Sequence, residues 1–232
     1  SRALWRWCAA NHCRLIYASS AATYGDGRQG FKDDQDSAAL ARLRPLNPYG
    51  WSKHLFDRFV ASELEKGKPR PPQWAGLKFF NVYGPNEAHK GEQASVIARQ
   101  FAAVRRGETL RLFRSAHPDY ADGGQLRDFI YVKDCVSVMC WLHARPAVSG
   151  LFNVGTGKAR SFADLALALF SALNEKPRLE YVPMPEGLKD KYQYFTQADM
   201  AKLRSAGYDC AASSLEEGVN DYVGNHLAYA SL

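Results

Sequence analysis

Long apolar runs are missing from this 232-residue chain. No stretch approaches the ~18 residues that a membrane-spanning helix needs, so no membrane partner is expected. The opening Ser1-Arg2-Ala3-Leu4-Trp5-Arg6-Trp7-Cys8 holds neither a long apolar core nor a small-residue cleavage site. No signal peptide is expected, and a cytoplasmic location is. The five cysteines, Cys8, Cys13, Cys135, Cys140 and Cys210, are odd in number and form no C-x-x-C pair. They read as buried free thiols of a reducing compartment, with no metal site. The formal charge is +6, yet no basic run is present. Nucleic acid is therefore not expected, whereas an anionic small-molecule substrate fits the same balance. The dinucleotide fingerprint G-x-G-x-x-G is also missing. Gly155-Thr156-Gly157 imitates its start, but Arg160 stands where the third glycine belongs. Those glycines are expected to form a tight turn. An initiating Met is missing too, which suggests a chain cut at its front.

Short apolar runs alternate with amphipathic stretches, a pattern that predicts an α/β fold with a parallel sheet. Helix is expected at residues 4–11, 94–106, 134–143, 161–173 and 199–206. Strand is expected at 14–18, 77–82, 110–113, 129–132, 151–154 and 179–182. Residues 26–44 read as a loop with room for one helical turn, and 86–91 and 115–125 as loops. Asn47-Pro48 opens a further helix, with Asn as N-cap and Pro in the first position. Leu55, Phe56 and Phe59 lie on one face of it, with Lys53, Asp57 and Arg58 elsewhere. Ser213 and Glu216 have capping-box spacing before the last helix.

Ser20, Tyr49 and Lys53 suggest chemistry. Residues four apart on a helix share a face, so Tyr49 and Lys53 point one way. An ammonium beside a phenol favours the tyrosinate, lowering a pKa ordinarily about 10. Such a tyrosine takes a proton from a sugar hydroxyl near neutral pH. Ser20 follows the C-terminal end of a strand, where open α/β sheets place ligands, and its hydroxyl can hold the same oxygen.

The segments that carry these residues, Y-A-S-S-A-A-T-Y-G at 17–25 and P-L-N-P-Y-G-W-S-K at 45–53, resemble the active-site region of extended short-chain dehydrogenases/reductases, the nucleotide-sugar epimerases and dehydratases. F-N-V-Y-G-P at 80–85, R-D-F-I-Y-V-K-D at 127–134 and F-N-V-G-T-G at 152–157 agree in order. The resemblance covers essentially the whole chain. Within the family, E-A-H-K-G at 87–91 followed by A-S-V at 94–96 resembles the branch that epimerises ADP-heptose. So do Y-Q at 192–193 and F-T-Q-A-D at 195–199. A dehydratase would show Asp-Glu at 21–22 or 22–23, and it is absent.

The resemblance implies the C-terminal part of a doubly wound Rossmann-type parallel sheet with a smaller α/β substrate lobe. Residues 1–84 would be the remainder of the Rossmann domain. Residues 85–232 would be mainly the lobe, with some segments returning to the sheet. About ninety residues with the Gly-rich turn would precede Ser1. The resemblance further implies NADP as cofactor, touched by Tyr49, Lys53, Val82 and Lys90. Catalysis would fall to Ser20, Tyr49, Lys53 and Lys90, with Tyr49 and Lys90 as two separate proton-handling groups. The other reading of Lys90 is a loop lysine that pairs with a phosphate. The ADP-sugar would be held by Ser20, Asn81, Glu92, Arg99, Phe113, Arg114, Ser115, Ala116, Arg127 and Tyr192. Arg127 would grip the pyrophosphate bidentately, or form a surface ion pair with Asp128 or Asp134. Phe113 would stack on adenine or fill a core. Glu92 and Arg99 depart from the family pattern, which has a small polar residue and a histidine there. A homo-oligomer and a role in lipopolysaccharide-core supply are further implications. The rivals are a UDP-sugar 4-epimerase and a catalytically inactive nucleotide-binding fragment.

Overall fold

The computed structural model describes residues 1–189 and 192–228. Helix α1 (Arg2–Ala10) leads into β1 (Leu15–Ser20) and a 3-10 turn, Ala21–Tyr24. After a loop come α2 (Ser37–Arg42) and α3 (Pro48–Glu65). The Asn47 side chain accepts the Gly50 N–H at 2.8 Å, so α3 starts where Asn-Pro requires. Then follow β2 (Trp74–Phe79), β3 (Asn81–Tyr83), 3-10 turns at Ala88–Gln93, α4 (Val96–Arg105) and β4 (Leu110–Phe113). Next are β5 (Leu126–Arg127), β6 (Phe129–Tyr131), α5 (Val132–His143), β7 (Gly150–Val154) and β8 (Arg160–Ser161). The rest is α6 (Phe162–Ala172), β9 (Leu179–Val182), the single turn α7 (Glu186–Lys189), α8 (Ala201–Ser205) and α9 (Leu215–Tyr222).

The sheet that organises the site is parallel, in the order β1-β2-β7, with β1 at an edge. Helices cover both of its faces, as a parallel sheet requires. On one face Trp5, Leu15, Val60, Trp74 and Leu151 pack under α1 and α3. On the other, Ala75, Leu77, Ile130, Val138, Leu142 and Leu203 pack under α5 and α8. A separate core forms the second lobe, where α4, α6 and α9 enclose Ile97, Leu110, Leu169 and Val219. Its short strands pair as β3-β6 and β4-β9, parallel, and β5-β8, antiparallel.

Four expectations change. The strand expected at 77–82 is two strands. β2 ends at Phe79, the Phe80 N–H donates to the Val154 carbonyl at 3.0 Å, and β3 leaves to pair with β6. On α3, Phe56 and Phe59 are half-buried and pack against the core as expected, but Leu55 does not share that face. Gly50, His54, Asp57, Val60 and Ala61 are buried, while Leu55 is 49% exposed. Asp57 goes inward because a lysine meets it. The capping box of the last helix is Ser214 with Glu217, one residue later than expected. Both serines have a glutamate three residues on, and Ser213 is taken by the Asp134 carboxylate, which accepts its N–H at 3.0 Å and its hydroxyl at 3.2 Å. Finally, only Cys8 and Cys135 are buried thiols. Cys13 is half-buried, and Cys140 and Cys210 are exposed. Among the described residues no helix is long and apolar enough to cross a membrane, and no cluster of metal-ligating side chains occurs.

Candidate active site

Ser20 ends β1 at the C-terminal edge of the sheet and is 9% exposed. Its Oγ accepts the Ala22 N–H at 3.1 Å, capping the 3-10 turn, and its hydroxyl proton is left for another acceptor. Tyr49 lies in the first turn of α3 and is 57% exposed. Lys53 follows one turn later, its Nζ 5.7 Å from the Tyr49 ring centroid, and donates to the Ala18 carbonyl of β1 at 3.1 Å. It makes no ion pair among the described residues. The helix start and the serine turn meet backbone to backbone. A Cβ on Gly50 would stand 2.7 Å from the Ala22 carbonyl oxygen. Absence of a side chain beside Tyr49 is what permits this approach, so three residues distant in sequence share one end of the sheet.

A groove runs through the second lobe. Asn81, Val82, Ser95, Val96, Arg99 and Phe162 line one part of it. Val96, Arg99 and Phe162 also line the next part, with Arg111, Phe113 and Tyr192, a cleft of about 390 Å³. Phe113 is half-buried and faces this cleft. Arg99 is exposed. Arg127 is 7% exposed, its guanidinium 5.1 Å from the Tyr192 ring and 5.7 Å from the Phe162 ring. Its Nη1 donates to the Leu126 carbonyl at 2.8 Å.

The surface ion pair considered for Arg127 is not formed. The Asp128 carboxylate accepts from Thr156 (N–H, 2.7 Å; hydroxyl, 2.8 Å), from the Gly157 N–H at 2.9 Å and from the Ala198 N–H at 2.9 Å. The Gly155-Thr156-Gly157 turn is thus a cradle for the protein's own carboxylate, and burial pushes the Asp128 pKa up despite these bonds. Asp134 is occupied by Ser213. Burial lowers the Arg127 pKa, while the nearby Tyr192 and Tyr120 oppose this. An arginine stays charged even so. A buried charge without a counter-ion is costly, and among the described residues no carboxylate pairs with Arg127.

Arg114, Ser115 and Ala116 follow β4 and make local bonds. Arg114 Nε donates to the Tyr181 carbonyl, Ser115 N–H to Asp122, and Ala116 N–H to the Tyr194 hydroxyl. Lys90 and Glu92 are exposed on the 3-10 turns, where Gly91 has φ +54°. Three buried residues had no assigned role. Glu87, 3% exposed, binds Ser95 beneath the Lys90 turns. Lys78 and Asp57 form an ion pair under Ser20. A lysine inside the apolar run Leu77-Lys78-Phe79-Phe80 was the available signal for the last pair.

The model of the NAD dependent epimerase/dehydratase family matches residues 1–155. The chain is 55% identical over 230 residues to the ADP-L-glycero-D-manno-heptose-6-epimerase of Nitratidesulfovibrio vulgaris (strain DP4), covering 99% of this chain and 69% of that protein. Among solved structures it resembles the ADP-L-glycero-D-manno-heptose-6-epimerase of Helicobacter pylori, with TM-score 0.70 and 25% identity, over 95% of this chain and 61% of that one. It also resembles MoeE5 in complex with UDP-glucuronic acid and NAD, with TM-score 0.72 and 26% identity, over 98% and 69%.

Proposed function

Since the chain belongs to the NAD-dependent epimerase/dehydratase family, we propose that it supplies the proton-transfer and substrate-binding parts of an ADP-glyceromanno-heptose 6-epimerase. The reaction inverts C6 of ADP-D-glycero-D-manno-heptose through a transient ketone. The observation that supports it most is the division of labour in the molecule. Ser20, Tyr49 and Lys53 gather proton-handling groups at the sheet end, while Arg127 is a buried cation that pairs with no carboxylate among the described residues, beside a groove. Those are the needs of a sugar carbinol linked to a diphosphate.

Ser20 and Tyr49 hold the C6 hydroxyl, and Tyr49 accepts its proton. The Lys53 ammonium stabilises the phenolate charge. After inversion the carbinol oxygen lies elsewhere, so a second group, Lys90, returns the proton there. Arg127 pairs with the diphosphate, Phe113 and Tyr192 border the nucleotide, and Asn81 contacts the sugar. A nicotinamide dinucleotide, held by Tyr49, Lys53, Val82 and Lys90, would supply the hydride acceptor and donor that a transient ketone at C6 requires. The residues present fit that group. Tyr49 is open to solvent, Lys53 has no ion-pair partner among the described residues, and both lie by the C-terminal end of β1. Val82 and Lys90 complete the contacts. NADP is the finer assignment, and the assembly is a homo-oligomer of the cytoplasm.

The test is turnover of ADP-D-glycero-D-manno-heptose by the full-length protein, followed by NMR of C6, with the released cofactor identified by mass. Inversion at C6 with bound NADP, lost in Tyr49→Phe, is expected. Conversion of UDP-glucose in place of the ADP-heptose would overturn the reading.

A further inference from the structure

Lys78 on β2 and Asp57 on α3 form an ion pair at 3.1 Å, and both side chains are 0% exposed. Its bonds run to every backbone segment that forms the Ser20–Tyr49–Lys53 site. Asp57 Oδ2 also accepts from the Ser19 hydroxyl at 2.6 Å, and Oδ1 from the Tyr17 hydroxyl at 3.1 Å. Lys78 Nζ also donates to Thr23 Oγ1 at 2.7 Å and lies 4.8 Å over the Tyr24 ring. The Thr23 hydroxyl in turn donates to the Ser20 carbonyl at 2.8 Å. Asp57 stands one helical turn beyond Lys53 and two beyond Tyr49, on the same α3. Ser19, next to Ser20, is the register partner of Lys78.

Stability alone does not account for this arrangement. Desolvating two charges offsets most of their attraction, and an apolar pair of similar volume is often neutral or better. What an apolar pair lacks is direction. Each bond here has a fixed length and angle, and together they relate the serine turn to the tyrosine helix from beneath.

We propose that Lys78 and Asp57 are positioning residues, a buried brace that sets the Ser20 hydroxyl against Tyr49 and Lys53. This rests on the epimerase reading for its kinetic consequence only. Misplacing a reacting group by about 1 Å costs on the order of 10²-fold in rate, so the brace acts on kcat and leaves substrate affinity nearly alone.

The experiment compares full-length wild type with Lys78→Met, Asp57→Leu and the double variant. Each single variant leaves a buried charge alone and loses Tm and kcat together. The double variant recovers most of the Tm but keeps kcat at least about ten-fold low, with KM for the ADP-sugar little changed. Recovery of kcat along with Tm in the double variant would overturn the brace. A gentler pair keeps the idea testable if these variants fold poorly. Thr23→Val removes only the Lys78–Thr23–Ser20 link, and Thr23→Ser retains it. The first should lower kcat with KM unchanged, and the second should restore it. A readout without turnover separates the brace from the functional reading. Thr23→Val should raise amide exchange at Ala21–Tyr24 and in the first turn of α3 together, with the rest of the sheet unchanged. Unaltered exchange there would refute the brace even in a protein that epimerises nothing.

Discussion

Both carboxylate oxygens of Glu87 bind one residue, Ser95: Oε2 accepts its backbone N–H at 2.8 Å and Oε1 its hydroxyl at 2.6 Å. The same Ser95 hydroxyl oxygen caps α4 by accepting the Ala98 N–H at 3.2 Å. Glu87 Oε1 also lies 3.5 Å from the Gly84 N–H. The loop that displays Lys90 is therefore closed at both ends by one buried carboxylate. Glu87→Ala leaves several buried donors without an acceptor, at about 1–3 kcal/mol. The expected result is a lower Tm with faster amide exchange across residues 84–95. Unchanged exchange there would show that the loop is held by other contacts.

Gly50→Ala sets two effects against each other. Ala favours a helix by about 1 kcal/mol over Gly. Overpacking costs typically 1–3 kcal/mol, and the obstacle is the Ala22 backbone carbonyl, which cannot rotate away. The clash wins. Tm falls modestly, and epimerase kcat falls at least about ten-fold as Tyr49 moves from Ser20. Wild-type kinetics in Gly50→Ala would show that the contact is not critical.

Arg127→Met should separate binding from stability. Removing an uncompensated buried charge leaves the unliganded Tm equal or higher. Charge-assisted bonds to an anion contribute about 1.5–3 kcal/mol each, so ADP affinity falls at least ten-fold by calorimetry. Arg127→Lys recovers little, since an ammonium lacks the planar fork. Undiminished ADP binding in Arg127→Met would remove Arg127 from the diphosphate site.

His54 gives an acid-side signature. Its ring is 0% exposed, neither nitrogen has a partner, and burial, then Lys78, lower its pKa to about 4. An unfolded histidine titrates near 6.5. Between those values the unfolded chain holds a proton that the folded chain does not, so stability falls as pH drops through the window. The slope approaches about 1.4 kcal/mol per pH unit. His54→Leu should lack this component. Urea unfolding of both proteins from pH 7 to 4.5 should diverge below about pH 6.5, and parallel curves would refute the assignment.

Most local signals in the sequence match the structure, the capping box at Ser214 being off by one residue, whereas tertiary relations leave little local trace. Asn47 and Ser161 are caps because their oxygens reach N–H groups three residues on, a relation contained in a short segment. Tyr49 and Lys53 share α3 for the same kind of reason. On α3, hydrophobicity alone places Leu55 with Phe56 and Phe59, yet only the two phenylalanines pack on the core. The sheet-facing stripe includes His54 and Asp57, which are acceptable inside only because Lys78 arrives from another element. The division of β2 from β3 is likewise decided by partners, Val154 and β6, that no local pattern announces.

The register of the sheet also bears on how the molecule is made. β2 pairs on one side with a strand already synthesised, Leu15 meeting Trp74, and on the other with one far ahead, Ala75 meeting Gly150. At a ribosomal rate of about 5–20 residues per second, β7 follows β2 by roughly 4–15 s. For that interval the central strand shows one open row of backbone donors and acceptors, a template for wrong pairing. The nascent chain is most vulnerable between translation of Phe79 and of Val154, so a chaperone that shields it must act on a half-built sheet.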